Sequence, residues 1–129
     1  CYVSVRDELN TAEILKYCFE HNIDICTPKV VGRTLCFYKI KSYDDLVPAP
    51  FGLLEPTLTV HIPVDKIDMM IVPLSSYDSE NHRTGYGKGY YDSILMDCRN
   101  RIGVAFQEQE VDLIDIGTHD ITLDEIISA

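Results

Sequence analysis

Asp68-Met69-Met70-Ile71-Val72-Pro73 is the stretch that decides the fold. An unbroken apolar run of this kind, closed by a proline, suits a strand covered on both faces at the centre of a parallel sheet, because a strand with one wet face alternates polar and apolar residues. Beyond its end comes Arg83-Thr84-Gly85-Tyr86-Gly87-Lys88-Gly89-Tyr90-Tyr91-Asp92, with three alternating glycines, two cations, three tyrosines and a carboxylate. Glycine lets a bulky anion approach the main chain, so that successive N–H groups can converge on one phosphate. The spacing predicts a helix over Tyr90 to Cys98, which would set a positive helix end behind the same anion. Arg83 offers a planar fork and Lys88 a point charge on a flexible stem. A plain glycine-rich turn is the alternative reading.

Working outward, Asn10-Thr11-Ala12-Glu13 reads as a helix start with Asn10 as N-cap and Glu13 returning a bond to it. Ile14, Leu15, Cys18 and Phe19 form the apolar stripe of that helix, and His21-Asn22 end it. Ile23 to Thr27 reads as a short strand stopped by Pro28. Thr34 to Ile40 reads as another, with Val31-Gly32-Arg33 as the turn. Tyr43 to Val64 holds four prolines and is expected to be a long surface connection of the kind that lines sites. Arg101 to Phe106 reads as a buried strand, and Ile121 to Ile127 as a closing strand or short helix. Strands alternating with helices predict one α/β domain over residues 1–129, a mainly parallel, mixed sheet flanked by helices. In such sheets ligands bind beyond the C-terminal strand ends, where the strand from Asp68 delivers the glycine segment.

Two familiar glycine loops do not fit. A Walker loop needs a hydroxyl after its lysine, and Lys88 is followed by Gly89; a dinucleotide fingerprint needs a glycine where Tyr90 stands. The Arg-x-Gly-x-Gly-x-Gly-Tyr-Tyr-Asp pattern instead resembles the signature of the 5-formyltetrahydrofolate cyclo-ligase (methenyltetrahydrofolate synthetase) family. Asp7-Glu8-Leu9-Asn10-Thr11 is similar to that family's Glu-x-x-Thr segment, Pro28 follows a strand as the family's proline does, and His119-Asp120 precedes a terminal Asp-Glu-Ile-Ile run. Two departures stand out. Pro73-Leu74-Ser75-Ser76-Tyr77-Asp78 replaces the usual Pro-Gly-x-Ala-Phe-Asp, and Thr84 replaces a leucine. Family members also open with about fifty further helical residues, whereas Cys1-Tyr2-Val3-Ser4-Val5 already reads as a strand, so a fragment or shortened relative is expected.

The resemblance implies a three-layer domain like the sugar-phosphate isomerase and CoA-transferase-like architecture. It also implies ATP- and Mg²⁺-dependent cyclisation of 5-formyltetrahydrofolate to 5,10-methenyltetrahydrofolate. Residues 83 to 91 (Arg83, Thr84, Gly85, Tyr86, Gly87, Lys88, Gly89, Tyr90, Tyr91) would bind nucleotide, with Lys88 and Tyr90 catalytic. Val3, Glu8, Phe51 and Tyr90 would contact the folate, with Leu35 and Phe37 on a folate-facing strand. Asp92 and Asp120 would hold Mg²⁺; for Asp92 a surface pair with Lys88 remains an equal alternative.

Composition narrows the classes. With 129 residues and 46% hydrophobic content the chain supports one core. A net charge of −10 argues against nucleic acid, and no apolar run approaches the ~18 residues that span a bilayer. The five cysteines at 1, 18, 26, 36 and 98 form no Cys-x-x-Cys pair, which fits reduced thiols in a cytoplasmic protein. ATP and a reduced folate are the expected partners, and a monomer the expected state. Competing readings are a non-catalytic nucleotide- or folate-binding relative, and another phosphate-handling enzyme on the same architecture with Glu8 as its carboxylate.

Overall fold

The computed structural model describes residues 1–5, 8–57, 60–85, 89–115 and 121–129. Its elements are α1 (Ala12–Glu20), β1 (Ile25–Val31), β2 (Thr34–Ile40), β3 (Leu46–Pro48), β4 (Leu54–Pro56), β5 (Val60–Ile62), β6 (Met70–Val72), β7 (Ser76–Tyr77), β8 (Arg83–Thr84), α2 (Asp92–Leu95), β9 (Arg101–Ala105) and β10 (Glu125–Ser128). The class is α/β. Among the described residues the parallel strands form one three-stranded sheet, ordered β10-β9-β6, with an isolated parallel bridge between Tyr77 and Glu110, while β1-β2-β5, β3-β4 and β7-β8 are antiparallel. No helix among the described residues is long and apolar enough to cross a membrane.

Helix α1 buries Leu15 and Cys18. It starts one residue later than the sequence suggests. The Asn10 carboxamide oxygen accepts from Ala12 N–H at 2.8 Å, while the Thr11 hydroxyl turns away to accept from Ser4 N–H at 3.0 Å. The helix ends as its sequence predicts. Asn22 takes the left-handed conformation at φ 56°, and Ile23 N–H returns to Cys18 O at 2.9 Å, closing a Schellman turn.

Four expectations about strands are corrected. Pro28 does not stop β1. The strand lies at the edge of its sheet, with β2 as its partner. Val30 N–H points away from that partner and donates to the Glu55 carboxylate at 2.8 Å. Two residues earlier, Pro28 faces the same free side, where its missing N–H removes no ladder bond. The connection from Tyr43 to Val64 is not structureless, since it carries β3, β4 and β5. Cys1 to Val5 forms no strand and is held instead by its turn toward Thr11. Strand β6 is covered on both faces as expected, but it lies at the edge of the parallel sheet, whose central strand is β9.

Alternation along β6 separates two apolar clusters. Met70 and Val72 pack with Phe37, Leu35 and Leu74 and with Ile94 and Leu95 of α2, whereas Ile71 packs with Leu15 and Cys18 of α1 and with Ile25 and Ile40. Each helix therefore covers a different face of β6. The predicted helix from Tyr90 to Cys98 is regular only over Asp92–Leu95, though Cys98 N–H still bonds Leu95 O at 3.1 Å.

At the centre of the parallel sheet Gly103 leaves no room for a side chain. A Cβ there would lie 2.7 Å from Leu123 Cδ1 and 3.1 Å from Leu74 Cδ2. Leu74 Cδ2 fills part of the space that Gly103 leaves. Gly103→Ala is expected to destabilise the fold by about 1–3 kcal/mol through overpacking, read as a lower urea midpoint at unchanged slope.

Candidate functional site

The C-terminal ends of the parallel strands β6 and β9 open into a cleft of about 1570 Å³. One wall is the segment after β6 and the arm from Arg83 onward, with Pro73, Ser75, Arg83, Thr84, Gly85, Gly89, Tyr90, Tyr91 and Asp92. The other is apolar, with Pro28, Val30 and Leu35 from the β1–β2 hairpin and Pro50, Phe51, Leu53 and Leu54 from the connection that follows. Lys29 and Glu55 lie among these, and Tyr2, Val3, Val5, Glu8, Phe106, Glu108 and Gln109 line the rest.

The hairpin β7–β8 positions the arm. At its turn Asp78, 1% exposed, accepts from Glu80 N–H and His82 N–H at 3.0 Å each, from the His82 ring at 2.9 Å and from Ile114 N–H at 3.0 Å. Burial alone would raise this carboxyl; the donors from Ile114, His82 and Glu80 outweigh it and pull it down to about 2. Across the hairpin Ser76 and Thr84 are register partners, and their hydroxyls meet at 2.6 Å. Two of the departures from the family signature thus form one cross-strand hydrogen bond.

Arg83 is not splayed toward solvent. Its side chain is 4% exposed; Nε donates to Pro73 O at 3.2 Å and a terminal nitrogen to Asp92 Oδ1 at 3.1 Å. Its other terminal nitrogen lies 2.7 Å from where a Cβ on Gly85 would stand, so a side chain there would push the guanidinium aside. Gly89 is required for its backbone, at φ 68°. Asp92 therefore pairs with Arg83. Its side chain keeps 40% exposure toward the cleft.

Tyr91 also lines the cleft, and its buried hydroxyl has no hydrogen-bond partner among the described residues. Burial, reinforced by the nearby Glu8 charge, pushes its phenol well above the ordinary range, so it remains a proton donor. Glu8 accepts from Val5 N–H at 2.9 Å, and Tyr2 Oη donates to Leu9 O at 3.0 Å, fixing the Val3–Glu8 side of the cleft. Phe51 is 74% exposed at the rim in a left-handed conformation, φ 64°.

Of the residues singled out from sequence, Val3, Glu8, Leu35, Phe51, Arg83, Thr84, Gly85, Gly89, Tyr90, Tyr91 and Asp92 come together around this cleft. Phe37 does not: it is fully buried in the core beneath. Tyr86, Gly87, Lys88 and Asp120 lie outside the described residues. The sequence reading missed Gln109, Glu55 and Lys29. Gln109 Nε2 donates to Leu74 O at 3.0 Å and Ser75 O at 3.2 Å while its Oε1 accepts from Phe106 N–H at 2.7 Å, joining the loops after β6 and β9. Glu55 sits on β4, in the stretch read as surface connection. No group of three or more His, Cys, Asp or Glu side chains able to hold a metal occurs among the described residues.

Comparison with known proteins gives consistent matches. The model of the 5-formyltetrahydrofolate cyclo-ligase family matches residues 1–129. A 5-formyltetrahydrofolate cyclo-ligase of Haemophilus influenzae is 27% identical over 135 positions, covering 98% of this chain and 72% of its own. One of Mycoplasma genitalium is 38% identical over 115 positions, covering 84% and 58%. Among solved structures, a 5,10-methenyltetrahydrofolate synthetase of Mycoplasma pneumoniae superposes with a TM-score of 0.76 at 25% identity, covering 98% and 70%. That of Aquifex aeolicus does so with a TM-score of 0.85 at 26% identity, covering 98% and 66%.

Proposed function

The chain belongs to the 5-formyltetrahydrofolate cyclo-ligase family, and from that premise we propose that it closes 5-formyltetrahydrofolate to 5,10-methenyltetrahydrofolate at the expense of ATP, releasing ADP and phosphate. The observation that carries this reading is the single cleft in which the glycine arm faces an apolar and aromatic wall. Its volume of about 1570 Å³ exceeds the roughly 300–1,000 Å³ that one small ligand needs, which suits a nucleotide and a folate bound side by side.

The formyl oxygen attacks the γ-phosphorus of ATP, the bond to the β-phosphate oxygen breaks, and ADP departs. The N10 nitrogen then attacks the activated formyl carbon and loses its proton, and the carbon–oxygen bond breaks to release phosphate. Such phosphoryl transfer asks for positioning and charge stabilisation rather than a covalent catalyst. Main-chain amides of residues 83 to 91 would cradle the phosphates, with Lys88 facing the transferred group. Arg83 acts through the arm, holding Gly85 and Asp92 in place. Tyr90 and Phe51 would sandwich the flat pterin, and Val3 and Glu8 would orient its formyl end.

Mg²⁺ would neutralise charge on the phosphate oxygens, held by Asp92 and Asp120. The partly exposed Asp92 carboxylate suits a hard cation that takes few protein ligands and completes its shell with phosphate and water. The test is the rise of methenyl absorbance with ATP and Mg²⁺ present, and its loss when either is withheld. No product in the complete mixture rejects the reaction; nucleotide binding by calorimetry without product would favour a non-catalytic relative.

A single three-layer domain goes with this reading, supported by α1 and α2 covering different faces of β6. A monomer is expected because residues of one chain supply both walls of the cleft, and sedimentation at twice 14.7 kDa would reject it. A cytoplasmic setting is supported by the free state of all five cysteines.

A further inference from the structure

The cleft carries a second charged station, away from the glycine arm. On the apolar wall, Lys29 Nζ lies 3.3 Å from Glu55 Oε1, and Glu55 Oε2 is occupied by Val30 N–H at 2.8 Å. The pair is unequally buried. The Glu55 side chain is 11% exposed and that of Lys29 is 32% exposed, and both residues line the cleft. The carboxylate is thus sunk against the edge of β1 and shared with a main-chain amide, while the ammonium is the more exposed member. An ammonium has three donors, and Glu55 engages one direction of them. The other described cation of the cleft, Arg83, is 4% exposed and committed to Pro73 and Asp92.

The geometry points to Lys29, held in place by Glu55, as the residue that binds the carboxylate tail of the folate. This rests on the proposed function, since it is 5-formyltetrahydrofolate that brings a flat ring system, an apolar benzoyl linker and a glutamate with two carboxylates. Pro28 and Val30, the neighbours of Lys29 on β1, line the cleft together with Leu54 and suit the linker, and the partly exposed ammonium, which also lines the cleft, suits the tail. Phosphate chemistry belongs to the opposite wall. Glu55 is a positioning residue here: by occupying the free edge of β1 it fixes where the ammonium stands.

The test compares 5-formyltetrahydrofolate with an analogue that ends in a neutral benzamide in place of the glutamate. The wild-type protein is expected to show a KM about tenfold lower for the glutamate form, the size of one charge-assisted hydrogen bond, with the difference shrinking as salt rises. Lys29→Met is expected to abolish that preference and Lys29→Arg to keep it. Equal KM values for the two substrates in the wild type overturn the assignment whatever the variants' folding. A Lys29→Met effect that appears in the KM for ATP, or equally for both folates, also overturns it. Should no methenyl product form, calorimetric affinities for the same two ligands replace KM. A preference that disappears in Lys29→Met then upholds the contact while the reaction itself is rejected, and equal affinities reject the contact.

Discussion

Asp78→Ala is expected to destabilise the protein by about 2–4 kcal/mol, as befits buried N–H groups that lose a charged acceptor. The carboxylate gathers amides from Glu80, His82 and Ile114 together with the His82 ring at a site that is 1% exposed. Urea unfolding checks the prediction, with the midpoint falling at constant slope. Acid gives an independent readout. The folded carboxyl titrates near 2, below its ordinary 3.8, so its stabilising contribution is complete above that ordinary value and is lost as pH falls from about 4 toward 2. Wild-type protein should lose stability across that window, and Asp78→Asn, which cannot ionise, should lack this part of the dependence. An Asp78→Asn acid profile that follows the wild type throughout would refute the role.

Arg83→Met is expected to lower kcat/KM for ATP about 100-fold, the scale on which a misplaced positioning group acts. The guanidinium is the buried joint between Pro73, Asp92 and the chain at Gly85. Methionine fills part of the volume but leaves Pro73 O without its donor and Asp92 without its cation. Gly85→Ala should give a milder version of the same defect, because a methyl group there meets the guanidinium at 2.7 Å. The discriminating measurement is the KM for ATP against that for folate: an arm that only supports the fold would move melting temperature and leave the ratio of the two unchanged.

The architecture was legible where a local pattern carried it. The apolar stripe of α1, its Asn22 ending, the β2 strand and the buried β9 strand all followed from periodicity and turn chemistry. The described residues of the glycine segment, 83–85 and 89–92, line the cleft beyond β6 to which the strand pattern pointed. Legibility failed where a partner from elsewhere decided the outcome. Pro28 sits inside a strand because its free side faces Glu55 across the chain. The segment from Tyr43 to Val64 pairs with itself and with β2, which no short window contains. Arg83 looked like a phosphate ligand, yet its fork is taken by Pro73 and Asp92, and nothing in the order of residues announces that two loops will meet. Ser76 and Thr84 each read as a departure from the family signature, and only the hairpin register reveals them as one pair.

Gln109 carries a dynamic consequence. Because one carboxamide grips carbonyls from the loop after β6 while receiving an amide from the loop after β9, the two loops lose their conformational freedom together, once, when the chain folds. Molecules arriving at the cleft meet a floor that is already ordered and need not immobilise it again at each encounter. Their capture then carries no cost for ordering these two loops.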